Sequence, residues 1–256
     1  MACGRVRTEH WIGVRRNVRH PHGRTCHLSG DGLACHQHMD RNFTRIIWDW
    51  NGTLFNDAWL CMDVMNGLLE EHGLPLLTLE RYQRLFDFPV EDYYRRLGFD
   101  FDRTPFEQVG TTFIQRYEAR RLECELHDGA LNALQTLAQN GIPQTMLSAY
   151  KQQTLESLLH HFNIHTYFEA VTGNDDHYAT GKVANGLAWI ESIRHPRNEI
   201  LLIGDTAHDA EVAAALGVDC VLVAGGNQDE ARLQACGVPF YPSLRAWVDT
   251  QLHPSA

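Results

Sequence analysis

Residue types able to carry covalent chemistry fall in four short segments of this 256-residue chain. Asp49-Trp50-Asn51-Gly52-Thr53-Leu54 follows directly on the run Arg45-Ile46-Ile47-Trp48. Leu147-Ser148-Ala149 ends a second apolar run, Gly181-Lys182 opens a helical pattern, and Ile203-Gly204-Asp205-Thr206-Ala207-His208-Asp209 ends a third apolar run. A carboxylate such as Asp49 can attack phosphorus and become an aspartyl phosphate. A second carboxylate, Asp205, repels both it and an anionic substrate, so a hard divalent cation must bridge them, and carboxylate and carbonyl oxygens suit magnesium. On this scheme Asp205 is a direct ligand beside Asp49, and Asp209 holds a water of the metal or orients Lys182. Ser148, with Ala149 beside it, and the Lys182 ammonium hold phosphate oxygens, and the backbone N–H groups after Asp49, at Gly52 and Thr53, add donors.

Singly, each of these has a plainer reading. An Asp after a strand is most often a cap or turn residue, and a Gly-Asp pair is a turn. Ser148 alone reads as a solvated hydroxyl, and Lys182 as a helix-surface charge. Their order, and their shared placement at strand ends and a helix mouth, single them out, because that is where open α/β sheets bind ligands.

The elements that must position them are visible as patterns. Arg45–Trp48 reads as a buried strand. After it comes a mostly helical stretch: Trp59 to His72 with a stop at Gly73, a helix opened by Pro89 and stopped by Gly98, and a helix from the Thr104-Pro105-Phe106-Glu107 capping box to about Arg121. Beyond Asp128 strands and helices alternate. The strands are 143–147, 168–172, 199–203 and 219–223; the helices are 130–139, 152–161, 183–193, 209–216 and 228–235. Alternation with apolar strands predicts a parallel sheet covered on both faces. The expected fold class is therefore α/β, a Rossmann-like doubly wound core (43–56 and 127–256) with an all-helical cap (57–126) inserted after the first strand.

These four segments resemble, in order, the motifs of the haloacid dehalogenase superfamily, and the helical insert is similar to the cap of its phosphoglycolate-phosphatase-like branch. The resemblance spans about Thr44 to Val223. It implies magnesium, an aspartyl-phosphate intermediate and a cap that closes over a small phosphorylated metabolite. One position departs: the family usually has Asp two residues after the nucleophile, as the acid that protonates the leaving group and then activates water, and here that residue is Asn51. An amide does not exchange a proton at neutral pH, although the Asn51 backbone carbonyl can still bind magnesium. The resemblance implies catalytic roles for Asp49, Asn51, Ser148 and Lys182, and metal contacts from Asp49, Asn51, Asp205 and Asp209. Asn51 leaves rivals open: an enzyme cleaving another phosphorus bond, such as a phosphonate or acyl phosphate, or a catalytically weak phosphate-binding protein. It also predicts slow loss of basic leaving groups, a defect that the nearly isosteric Asn51→Asp change is expected to relieve.

Substrate choice is expected to lie in the insert. Phe86-Asp87-Phe88-Pro89-Val90 reads as a junction facing the site, followed by Tyr93, Tyr94, Arg95 and Arg96; the plain alternative is that the rings are cap core and the arginines solvated. His165, His177 and His208 invite a general-base reading, against a surface or capping role.

A formal net charge of −10 excludes an electrostatic nucleic-acid binder. No apolar run is long enough to cross a bilayer. Seven scattered Cys fit reduced thiols in a cytoplasmic protein. The first 38 residues differ, with six Arg, six His and only Glu9 and Asp31 as acids. That segment reads as a disordered extension or an upstream start with the true start at Met39, and next as a transit peptide; the spacing of Cys26-His27 and Cys35-His36-Gln37-His38 matches no usual zinc site. The oligomeric state is left open by the sequence.

Overall fold

Ile46, Ile47 and Trp48 are all fully buried, which is why their run shows no alternation of polar and apolar residues: both faces of the strand are covered. In the computed structural model, which describes residues 43–174 and 181–252, this run is β1 (Arg45–Trp48), an inner strand of a six-stranded sheet. Two short strands, β2 (Phe55–Asn56) and β3 (Glu125–Leu126), pair antiparallel beside it. The main sheet is completed by β4 (Gln144–Lys151), β5 (Ala170–Asn174), β6 (Ile200–Gly204), β7 (Asp219–Val223) and β8 (Phe240–Tyr241). Its order is β5-β4-β1-β6-β7-β8 and every pairing is parallel. The chain winds outward from β1 to β4 and β5, then returns to β6 on the other side of β1. That reversal opens a crevice at the carboxyl ends of β1, β4 and β6.

Helices cover both faces. Ile46 and Trp48 point into one core with Leu134 of α5 (Ala130–Gln139), Leu158 of α6 (Gln152–His161) and Trp247 of α10 (Leu244–Gln251). Ile47, between them in sequence, points into the other, with Ile190 of α7 (Lys182–Ile193), Val212 of α8 (Ala207–Leu216) and Leu233 of α9 (Glu230–Ala235). Each such side chain contributes about 1.5–3 kcal/mol by leaving water. Trp48 also donates its indole N–H to Gln144 Oε1 at 2.9 Å, so the buried polar atom beside the central strand is matched.

Between β2 and β3 lie four helices: α1 (Ala58–Glu71), α2 (Leu79–Leu85), α3 (Val90–Leu97) and α4 (Phe106–Arg120). They share a separate core of Met65, Leu68, Tyr82, Tyr93, Leu97 and Val109. The doubly wound parallel sheet and its helical insert are the expected fold. The expected capping box at Thr104 does not form: Pro105 is the N-cap of α4, without a side-chain cap bond. Thr104 instead closes a turn, its N–H donating to Asp100 O at 3.0 Å. Five elements carried no readable pattern: β2, α2, β3, β8 and α10. The N-terminal segment and its Cys and His pairs lie outside the described residues. Among the described residues no helix is long and apolar enough to cross a membrane.

Candidate active site

Asp49 follows β1 immediately, held by its N–H to Ile203 O at 3.0 Å. Asp205 follows β6, Ser148 lies in β4, and Lys182 is the first residue of α7. All four side chains sit at one end of the sheet, on residues at most 7% exposed. Lys182 Nζ donates to Asp49 Oδ1 and to Asp209 Oδ1, each at 2.6 Å. The Thr53 hydroxyl lies 3.1 Å from Asp49 Oδ2 and 3.2 Å from Asp205 Oδ1, so its one proton is shared between two carboxylates. The other oxygen of Asp205 accepts from Asn227 N at 2.6 Å and from Asn227 Nδ2 at 3.1 Å. Asp209 Oδ2 accepts from Thr206 N at 3.0 Å and from the Thr206 hydroxyl at 2.7 Å.

Charge decides what this arrangement needs. Burial pushes the Asp49 carboxyl up to about 6, against the pull of Lys182. Burial, with Asp49 and Asp209 nearby, pushes Asp205 well above the carboxylate range. Burial also opposes ionisation of Asp209, but Lys182 outweighs it and holds that carboxyl low. Lys182 is raised: burial disfavours its charge, and Asp209 and Asp49 overcome it. Three carboxylates thus face one ammonium, with ligand oxygens within 4.8 Å of one another. Among the described residues no cation touches Asp205. An all-oxygen set with uncompensated negative charge fits a hard divalent cation.

Asp49, Asn51, Ser148, Ala149, Lys182, Asp205 and Asp209 all line one cavity of about 680 Å³. Ser148 Oγ accepts from Tyr150 N at 3.1 Å, which leaves its proton available. Gly52 and Thr53 depart from the expected phosphate-binding role. Gly52 N donates to Phe55 O at 2.8 Å and to Asp57 Oδ1 at 2.9 Å, and Thr53 N donates to Trp50 O at 3.2 Å. The tight turn consumes both amides, and Thr53 enters the site through its hydroxyl instead. Gly52 has φ +77°, and a Cβ there would stand 2.1 Å from Asp205 Oδ2, so only glycine lets this turn approach the carboxylate.

Asn51 does not aim its side chain at a leaving group. Its Nδ2 donates to Asp57 Oδ2 at 2.7 Å and to the Tyr117 hydroxyl at 3.0 Å. Tyr117 in turn donates to Asp57 Oδ2 at 2.6 Å. Asp57, fully buried, is pushed up by burial against these bonds. Of the three histidines, His208 lines the cavity 4.9 Å from the Phe88 ring with Nδ1 3.3 Å from Glu211. His165 stacks on His160 outside the cavity wall, and His177 lies outside the described residues. Both readings of the Phe86–Val90 junction hold in part: Phe86, Phe88 and Tyr93 line the cavity, while Arg95 and Arg96 pair at the surface with Glu91 and Asp87.

Sequence reasoning missed Asp57, Tyr117, Tyr82 and Asn227. Asp57 shows only as a polar residue before a helix, and Gly225-Gly226-Asn227 only as a turn. The Tyr82 hydroxyl, from α2, donates to Asn227 Oδ1 at 2.9 Å, so the residue that fixes Asp205 is itself fixed by the helical insert.

Among known proteins, Tyrosine-protein kinase PtkA of Mycobacterium tuberculosis is 25% identical over 183 residues, which is 71% of this chain. This chain spans only 62% of the length of that relative. Phosphoglycolate phosphatase of Rhodobacter capsulatus is 25% identical over 188 residues, covering 71% of this chain and 84% of that protein. The solved structure of the M. tuberculosis Protein Tyrosine Kinase A superposes with a TM-score of 0.67 at 22% identity, covering 83% of this chain and 99% of that one. Residues 46–223 match the family model of the haloacid dehalogenase-like hydrolases, and the matched span holds β1, the helical insert and the ends of β4 and β6. The chain belongs to that hydrolase family.

Proposed function

We propose that the protein is a magnesium-dependent phosphatase that cleaves a small phosphomonoester by way of an aspartyl phosphate on Asp49. The observation that carries this reading is the buried Asp49–Lys182–Asp209 arrangement, with both Lys182 contacts at 2.6 Å and Asp49 open to the cavity. Asp49 attacks phosphorus, the bond to the ester oxygen breaks, and water then cleaves the acyl phosphate to release phosphate and regenerate the carboxylate. Lys182 orients Asp49 and compensates the charge of the entering phosphate. The Ser148 proton, not used within the protein, goes to a phosphate oxygen. Asp209 acts through Lys182, which it positions. Asp49, the Asn51 carbonyl and Asp205 would hold magnesium, whose charge makes an anionic phosphate tolerable beside three carboxylates.

The names of the relatives, a tyrosine kinase and phosphoglycolate phosphatases, both denote chemistry at a phosphoryl group. In this reading residues 57–126 are a cap over a core of 43–56 and 127–256, the substrate is a phosphorylated metabolite, and the enzyme works in the cytoplasm. Asn51 favours one second reading, an enzyme for a phosphonate or acyl phosphate, because an amide cannot protonate a leaving oxygen and its Nδ2 is turned to Asp57 and Tyr117.

The test is hydrolysis of p-nitrophenyl phosphate with magnesium, with excess EDTA, and by Asp205→Asn. Turnover that needs magnesium and is lost with Asp205→Asn supports the reading; full activity in EDTA overturns it.

A further inference from the structure

We propose that the organic group of the substrate is aromatic. This rests on the phosphatase reading for the phosphate end of the cavity, and adds what the other end selects. A cavity of about 680 Å³ holds far more than a phosphate and a two-carbon acid. Its far wall comes from the helical insert, where Phe86, Phe88, Phe106 and Phe113 are part-exposed to the space and the buried rings of Tyr93 and Tyr117 pack on them. The rings support each other: Phe86 meets Phe88 and Tyr93 edge-on with centroids 5.4 Å apart in each pair, and Phe113 stacks on Tyr117 at 6.2 Å. A wall of fixed faces and edges offers an entering ring the offset and edge-on contacts that aromatic groups prefer.

Charge on this wall is largely neutralised in place. The insert contributes Glu91, Glu107 and Glu118 to the lining, and Arg95 pairs with Glu91 and Arg121 with Glu118. On the core side Lys182 is committed to Asp49 and Asp209, and Lys151, at the end of β4, also lines the cavity. Rings rather than charges therefore dominate what the insert offers an organic group. Asn51 points the same way independently. An amide at position 51 protonates no leaving oxygen, and a phenoxide leaves without that help far better than an alkoxide.

The inference is tested by calorimetric titration in magnesium of three non-hydrolysable probes: benzylphosphonate, 4-carboxybenzylphosphonate and 3-phosphonopropionate, which copies the charge and length of phosphoglycolate. Both benzylphosphonates should bind at least about tenfold tighter than 3-phosphonopropionate, and Phe88→Ala should narrow the gap. Equal or tighter binding of 3-phosphonopropionate overturns the inference, as does failure of all three to bind. Turnover of p-nitrophenyl phosphate reports separately on the phosphatase reading, so loss of one does not hide loss of the other.

Discussion

The floor of the cavity and its far wall are built on opposite plans. On the floor almost every polar atom has a set partner. Both oxygens of Asp205 and of Asp209 accept bonds, and Gly52 and Gly226 stand so close to Asp205 that a Cβ on either would fall within 2.2 Å of its Oδ2. The far wall is made of rings packed on rings, with unpaired Tyr93 and surface arginines turned away. The floor is over-determined, as electrostatic preorganisation requires, and tolerates little change. The wall is held by contacts that are individually weak and numerous, so its shape can change while the chemistry beneath it stays. The difference assigns reactivity to one region and selectivity to the other.

The sharpest way to break that division is Lys182→Ala. It leaves three buried carboxylates without their ammonium, and kcat should fall by about 10²–10³-fold while the far-UV spectrum is unchanged. A near-normal rate would show that the floor does not work through this residue. Next in size is Asn51→Asp. The sequence alone suggests a nearly isosteric change that restores a proton donor. The structure places that side chain 2.7 Å from Asp57 Oδ2, so the change swaps a donor for a second carboxylate in a buried network. It should lower stability by about 1–3 kcal/mol, seen as a lower Tm. The double change Asn51→Asp with Asp57→Asn should recover most of the loss, and if it does not, the network is not the cause.

On the wall, Phe88→Ala should raise KM for an aryl phosphate by up to about tenfold with a smaller change in kcat, because it removes contact area rather than charge. A fall in kcat at constant KM would put the wall into the chemistry and dissolve the distinction. The smallest effect concerns His127, bonded to the Gly52 backbone with Nε2 buried and unpaired. Burial holds its ring down to about 4 from 6.5. The folded state refuses a proton that the unfolded chain accepts, so stability is intact above pH 6.5 and is lost as pH falls toward 4. His127→Gln should flatten the fall of Tm over that window. An unchanged slope would mean another group titrates there.

Much of the core could be read in advance because its strands are short apolar runs bounded by turns, and 219–223 and the helices 130–139 and 152–161 match their predicted bounds. The helix α2 was hidden because Leu-Glu-Arg-Tyr-Gln-Arg-Leu buries only Tyr82, too little to set a period. The two-residue β8 carries no alternation at all. The expected capping box failed because spacing alone does not fix backbone direction at a proline. Asp49, Ser148, Lys182, Asp205 and Asp209 were legible since strand ends and a helix mouth mark them. Tyr117 and Asn227 were not, because they meet Asn51 from 66 and 176 residues away, and a tertiary contact leaves no local signature.

The bond from Tyr82 to Asn227, and from Asn227 to Asp205, runs from the helical insert to the floor without interruption. Its consequence is thermodynamic reciprocity. Any ligand that shifts α2 shifts the hold on Asp205, and whatever factor it imposes on cation affinity, the cation must impose on it in return. Tyr82→Phe, which keeps the ring and removes the hydroxyl, weakens this link, while Gln83 Nε2 still donates to Gly226 O at 2.8 Å. In that variant the affinity for the cation should depend less on what occupies the aromatic end.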